Sequence, residues 1–100
     1  NCMALIESKH RGLFNMVCGG LTGRFEVAKE LVSLLGLNND IQINEVSSDY
    51  FSKEYFAERP ACERLINKRL DEIGMNMMRD WKIALRDCLS EYYPNQKIYL

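Results

Sequence analysis

Two apolar stripes at helical spacing constrain the fold of this chain more than any other feature. The first stripe consists of Phe25, Ala28, Leu31, Val32 and Leu35. The second consists of Trp81, Ala84, Leu85, Cys88, Leu89 and Tyr92. Because residues three or four positions apart lie on one side of an α-helix, both segments are predicted to be amphipathic helices that bury one face.

The residues that flank the stripes predict where each helix begins and ends. Thr22 and Asp80 precede the stripes, and their side-chain oxygens can accept hydrogen bonds from the free N–H groups of a helix start. Gly36 follows the first stripe and readily adopts the left-handed conformation that ends a helix. Pro94 follows the second stripe and cannot continue helical geometry.

Three short segments are predicted to be strands because they are apolar or alternate between apolar and polar residues. They are residues 13–18, 41–44 and 62–66. Gly19 and Gly20 close the first of them.

Three further segments are predicted to be helical: residues 3–9, 49–51 and 68–73. Gly12 follows the first of these, while Asn67 can cap the last and Gly74 can end it. The prediction is therefore a single α/β (α+β-like) domain over residues 1–100, with two long helices packed on a few short strands.

The composition argues against several classes of function. The chain has 13 basic and 14 acidic residues, a net charge of −1, and no basic stripe of the kind that nucleic-acid-binding domains carry. No apolar run approaches the roughly 20 residues that span a bilayer, so neither nucleic acid nor membrane is an expected partner. The four cysteines are far apart, and His10 is the only histidine, so no metal site is expected. The cysteines are predicted to be reduced core thiols of a cytoplasmic protein.

Two patterns resemble catalytic motifs but have the wrong context. The glycine-rich residues 19–23 lie between a predicted strand and a predicted helix, but their spacing matches neither phosphate-binding fingerprint. A simple turn is therefore favoured. Tyr93 and Lys97 have the spacing of a dehydrogenase tyrosine–lysine pair, yet Pro94 between them is incompatible with a helix interior.

Arg59 is the residue whose position most favours ligand binding. It precedes Pro60 in an irregular segment and belongs to no periodic polar face. A fixed guanidinium in a loop can bind a diphosphate through two parallel hydrogen bonds. An ion pair with a neighbouring carboxylate is an equally good interpretation from spacing alone.

Five short strings, in this order, resemble the C-terminal region of the dTDP-4-dehydrorhamnose reductase family, within the extended short-chain dehydrogenase and sugar epimerase superfamily. They are GLFNMV at 12–17, TGRFEVAKE at 22–30, ERPA at 58–61, LINKRL at 65–70 and DWKIAL at 80–85. The chain departs from the family pattern at Gly23, Ile66, Arg69 and Arg79.

The resemblance implies that these residues form only the substrate-binding domain of a larger cytoplasmic reductase. A Rossmann domain outside the chain would hold NADPH or NADH and the catalytic residues, so no catalytic or cofactor-binding residue is expected here. The resemblance implies a nucleotide-diphosphate sugar as substrate, with Arg59 as the best candidate for contact with it. Asn67, Lys68 and Phe56 are further candidates, although a helix cap, a solvated lysine and a core phenylalanine are alternative roles for them. A homodimer is compatible with this reading.

Other functions remain open at this stage. An epimerase or dehydratase of the same superfamily would have the same C-terminal domain. A non-catalytic regulatory or interaction module derived from the family is a second alternative. A helix-turn-helix DNA-binding domain is disfavoured by the acidic balance and by the predicted strands between the helices.

Overall fold

Helices account for nearly all of the regular structure in this chain. The computed structural model describes residues 1–51, 53–54 and 60–99. In chain order, the elements are α1 (Cys2–Glu7), α2 (Arg24–Leu34), a 3-10 helix (Ser48–Phe51), α3 (Lys68–Glu72) and α4 (Trp81–Tyr92). The apolar stripes correctly predict α2 and α4, which pack against each other. None of the helices in the described ranges has the length and apolarity that crossing a bilayer requires.

The predicted α/β class is wrong, because the described residues contain no sheet. Their β-type pairing is a single parallel bridge between Gly19 and Asp80. Residues 13–18, 41–44 and 62–66, which were expected to be strands, have no regular secondary structure. Apolar alternation indicates which side of a segment is buried, but a strand also needs a neighbouring backbone to complete its hydrogen bonds.

The ends of the two long helices match the prediction at two positions and differ at a third. The Asp80 carboxylate accepts a hydrogen bond from the backbone N–H of Lys82 at 2.9 Å and so caps α4 as predicted. Gly36 follows α2 in the left-handed conformation, with φ +68°. The predicted cap of α2 is wrong, because Gly23 occupies the N-cap position and the Thr22 hydroxyl donates to the Gly23 carbonyl instead.

The short helices α1 and α3 are also followed by left-handed residues. Gly74 ends α3, as the sequence predicts, with φ +68° and a hydrogen bond from the N–H of Met75 to the carbonyl of Leu70. Helix α1 ends well before Gly12, at Glu7, and the left-handed residue that follows it is Lys9, with φ +59°. The N–H of His10 donates to the Leu5 carbonyl at 3.1 Å and closes this turn.

Among the described residues, the apolar core is small and contains one leucine from each of the four α-helices: Leu5, Leu34, Leu70 and Leu89. The radius of gyration is 17.3 Å, compared with about 13 Å for a compact domain of 100 residues. The accessible surface is 8751 Å², whereas a compact monomer of this mass would expose about 5,800 Å². The helices are therefore held in an open arrangement with little buried apolar surface.

The segment after α4 returns to the end of α2. The N–H of Tyr99 donates to the Leu34 carbonyl at 2.8 Å, and the Tyr99 ring packs directly on Gly36. A side chain at position 36 would overlap this ring. Gly36 therefore both ends α2 and makes room for residue 99.

Candidate functional site

Asn67 is a buried polar side chain at the centre of the candidate site. It is only 7% exposed, and its amide forms two hydrogen bonds with the backbone of Val17. Oδ1 accepts from the Val17 N–H at 2.9 Å, and Nδ2 donates to the Val17 carbonyl at 2.7 Å. A neighbouring strand would bond Val17 in the same way. The side chain of Asn67 therefore takes the place of a strand and fixes a segment 50 residues earlier in the chain.

The amide of Asn67 also belongs to a short polar network after α3. Its Nδ2 donates to Asn76 Oδ1 at 3.3 Å, and the same oxygen accepts from the N–H of Met78 at 3.2 Å. Asn76 Nδ2 in turn donates to the Asp71 carboxylate at 2.7 Å. This network fixes the orientation of the Asn67 amide, which is required for its two bonds to Val17.

Two further side chains, Arg69 and Asn15, connect residues 13–17 to α3 and to the residues just before α3. Arg69 Nη1 donates to the Leu13 carbonyl at 2.7 Å, and its guanidinium carbon lies 4.4 Å from the centroid of the Phe14 ring. Asn15 Nδ2 donates to the Ile66 carbonyl at 3.3 Å. Side chains rather than a sheet therefore align residues 13–17 with residues 66–69.

Hydrogen bonds between backbone groups connect the residues after Val17 to the start of α4. The Gly19 N–H donates to the Arg79 carbonyl at 2.9 Å, and the Trp81 N–H donates to the Gly19 carbonyl at 3.1 Å. Gly20 has φ +84°, and a β-carbon there would lie 2.7 Å from Asp80 Oδ2 and 2.9 Å from Trp81 Cδ1. The glycines of residues 19–23 thus allow a close approach to the start of α4.

The structure describes only two of the four predicted substrate-binding residues. Phe56 and Arg59 lie outside the described residues. Asn67 occupies the N-cap position of α3, but its side chain forms no capping hydrogen bond and faces Val17. The Lys68 side chain is 75% exposed, and its ammonium lies 3.9 Å from Glu72. Asn67 therefore points into the protein, whereas its neighbour Lys68 points into solvent.

The tyrosine–lysine pattern near the end of the chain does not form a helical pair. Helix α4 ends at Tyr92, so Tyr93 and Lys97 lie beyond it. The Lys97 ammonium lies 5.0 Å from the ring centroid of Tyr99. Lys97 therefore contacts Tyr99, whereas the dehydrogenase pattern would pair it with Tyr93.

No protein-family model, curated protein or solved structure matches this chain.

The prediction that the cysteines are buried in the core is wrong. Cys2, Cys18, Cys62 and Cys88 are free thiols, and all four are exposed. Apolar neighbours predict burial only where the chain folds around them, and this fold buries few side chains. No group of three or more acidic, histidine or cysteine side chains that could hold a metal occurs in the described ranges.

An open groove of about 470 Å³ runs between α2, the start of α4 and residues 38–43. The charged side chains along it are paired with one another: Lys29 lies 3.3 Å from Glu26, and Lys82 lies 3.7 Å from Glu30. The Lys82 ammonium is also 5.6 Å from the centre of the Trp81 ring system. The two lysines and two glutamates that line the groove therefore neutralise one another in formal charge.

Sequence reasoning missed the contacts of Phe14, Asn15 and Arg69. Phe14 and Asn15 belong to a segment that was predicted to be a strand, and Arg69 to a short helix. The hydrogen bonds of Asn15 and Arg69 span 51 and 56 residues. No local pattern contains such pairs, so no signal within either segment could have identified them.

Proposed function

We propose that this chain is the nucleotide-sugar-binding part of an NAD(P)H-dependent reductase related to dTDP-4-dehydrorhamnose reductase. The substrate class proposed is a dTDP-linked 4-keto-6-deoxyhexose. The chain would bind and orient this substrate and would not catalyse its reduction alone.

The main support for the proposal is that three of the five sequence strings that resemble the family lie next to one another in the structure. GLFNMV contacts LINKRL through the bonds of Asn67 to Val17 and of Arg69 to Leu13. The bridge between Gly19 and Asp80 then brings the end of the first segment to DWKIAL. The contacts bring these three strings into one part of the structure, as a single binding domain would require.

The open shape of the chain is a second line of support. The exposed apolar side chains include Met3, Ile6, Leu13, Ile66 and Met77, and the accessible surface is well above that of a compact monomer. A domain that packs against a larger one would leave such surface uncovered when it is viewed alone.

Within this proposal, contact with the substrate falls to Arg59, Lys68 and Phe56. The guanidinium of Arg59 is assigned to the diphosphate. The Lys68 side chain is exposed, so its ammonium is accessible to a phosphate group. Asn67 is assigned a positioning role, because its amide is already bonded to Val17 and Asn76. A direct contact of Asn67 with substrate would require those bonds to break.

The nicotinamide cofactor is proposed to bind to a Rossmann domain outside these 100 residues. That domain would also carry the catalytic tyrosine and lysine, and the whole enzyme would act in the cytoplasm. NADPH or NADH would supply the hydride, while the residues of this chain would hold the sugar in place.

The proposal is tested by steady-state kinetics of the gene product that contains this chain. Replacing Arg59 with Gln should raise KM for the nucleotide sugar by about ten-fold or more, since a hydrogen bond to a charged group contributes about 1.5–3 kcal/mol. KM for NADPH should not change. The matched control is Arg24→Gln, which removes an exposed arginine at the start of α2 and should leave both constants unchanged. A normal KM for the nucleotide sugar in the Arg59 variant would remove Arg59 from the site, and the absence of any reductase activity would overturn the proposal.

Two alternatives would give different results in the same assay. An epimerase or dehydratase would convert the nucleotide sugar without net oxidation of NADPH. A non-catalytic interaction module, which the exposed apolar surface would also suit, would bind a partner protein and show no turnover.

A further inference from the structure

Two basic side chains, His10 and Arg69, contact Phe14 near the end of α1, and Lys9 and Arg11 lie next to His10 in the chain. We call Lys9, His10, Arg11, Phe14 and Arg69 the Phe14 cluster. The Arg69 guanidinium stacks 4.4 Å from the centre of the Phe14 ring, and the His10 ring meets the same phenylalanine edge-on, with centroids 6.3 Å apart. Phe14 therefore places an arginine and a histidine around a single ring.

The backbone at Gly12, the residue after Arg11, passes close to the same guanidinium. Gly12 has φ +111°, and a β-carbon at this position would lie 2.6 Å from Arg69 Nη1. Lys9 is in the left-handed conformation, and its N–H donates to the Ile6 carbonyl at 3.1 Å. This turn fixes the path of residues 9–12 beside Arg69.

The cationic groups of the Phe14 cluster have no carboxylate partner among the residues that the structure describes. Elsewhere in the part of the chain that the structure describes, the cations in ion pairs are Lys29, Lys68, Arg79 and Lys82. The nearby carboxylates of α3 are engaged already, since Asp71 accepts from Asn76 and Glu72 pairs with Lys68. Glu7, in the last turn of α1, forms no ion pair with the cluster. Lys9 and Arg11 follow the same short stretch of backbone that passes Arg69, and like charges on neighbouring residues repel one another, so a bound anion would be favourable here.

We propose that the Phe14 cluster is a binding site for a diphosphate group, either free or as part of a nucleotide. Arg69 is held in place by Phe14 and by its bond to the Leu13 carbonyl, which leaves the other guanidinium N–H groups available. A planar guanidinium of this kind matches two phosphate oxygens at once. Arg11 and Lys9 supply further positive charge, and His10 supplies ring N–H donors. The site uses none of the residues assigned above to the nucleotide sugar.

The test is a titration of the isotope-labelled chain with pyrophosphate, at constant ionic strength, followed by NMR. We expect saturable shifts of the Gly12 amide and of the Arg69 guanidinium signal. The double variant Lys9→Gln, Arg11→Gln should bind at least about ten-fold more weakly, because it removes two charged contacts without touching the bond of Arg69 to Leu13. The matched control, Lys29→Gln with Lys82→Gln, removes the same net charge elsewhere and should bind as the unchanged chain does.

Parallel titrations with dTDP and with thymidine identify the source of the diphosphate. Binding of dTDP and of pyrophosphate but not of thymidine, lost in the first double variant, would support the proposal for both sources. Binding of pyrophosphate alone would assign the site to the free anion. The absence of saturable shifts with both diphosphates, or equal weakening in both double variants, would overturn the proposal. None of these titration results would affect the proposed role of Arg59, which is tested separately by the KM for the nucleotide sugar.

Discussion

Asn67 and Val17, 50 residues apart, are joined by two hydrogen bonds between a side-chain amide and a backbone peptide. The amide presents one donor and one acceptor, so it satisfies both the carbonyl and the N–H of Val17. Its orientation is held by Asn76, whose own amide is bonded to Asp71. Much of the long-range structure around α3 therefore depends on one buried side chain.

The first prediction concerns this pair. Replacing Asn67 with Ala should lower the free energy of unfolding by about 2–4 kcal/mol, because two hydrogen bonds are lost and both backbone groups of Val17 lose their partner. Urea denaturation followed by circular dichroism would measure the change. The control is Asn39→Ala, in an exposed turn, which should change the free energy of unfolding by less than about 0.5 kcal/mol. A similar small effect at position 67 would contradict the role given to its amide.

The second prediction concerns the approach of Gly20 to α4. Gly20→Ala should destabilise the chain by about 1–3 kcal/mol, since φ is +84° and the added methyl group would overlap Asp80 and Trp81. Trp81 is the only tryptophan, so its fluorescence should report the local rearrangement directly.

Gly23→Ala is the matched control for this change. Gly23 has φ −119°, and an added β-carbon would meet no atom within 4 Å. Its substitution should leave the tryptophan emission spectrum unaltered. Equal effects of the two substitutions would mean that the contact between Gly20 and Trp81 is unimportant.

The third prediction compares Asp80 and Thr22, two residues that the sequence predicts to be helix N-caps and of which only Asp80 forms a capping hydrogen bond. Asp80→Ala should destabilise α4 by about 1 kcal/mol, because the carboxylate that accepts from the Lys82 N–H is removed. Asp80→Asn should retain most of the stability, since its side-chain oxygen can still accept this bond. Thr22→Ala should have almost no effect on α2, because Thr22 does not cap that helix. Thermal unfolding of the three variants would provide the measurements, and a larger loss for Thr22 than for Asp80 would contradict the structure.

The features that the sequence predicts correctly are those with local causes. The stripe of α4, its cap at Asp80 and the left-handed Gly36 and Gly74 each depend on residues within a few positions of one another. Helical periodicity reports burial of one face, and a glycine with positive φ ends a helix wherever it occurs. Such signals can be recognised without knowledge of the rest of the fold.

The features that the sequence does not predict depend on distant partners. Residues 13–18 have the composition of a strand, but whether they form one depends on what lies beside them, and Asn67 supplies a side chain where a strand was expected. Asn67 itself was assigned as a cap or a substrate ligand from its position before α3. Its partner, Val17, is too far away in sequence for any local pattern to identify.

The bonds of Val17 also have a consequence for biosynthesis. Translation adds about 5–20 residues per second, so the ribosome needs roughly 3–10 s to proceed from Val17 to Asn67, 50 residues later. During this interval the segment around Leu13 and Met16 has emerged or is emerging without the amide that will hold it. Until Asn67 has been synthesised, the nascent polypeptide therefore carries an apolar stretch in which the backbone of Val17 lacks its side-chain partner.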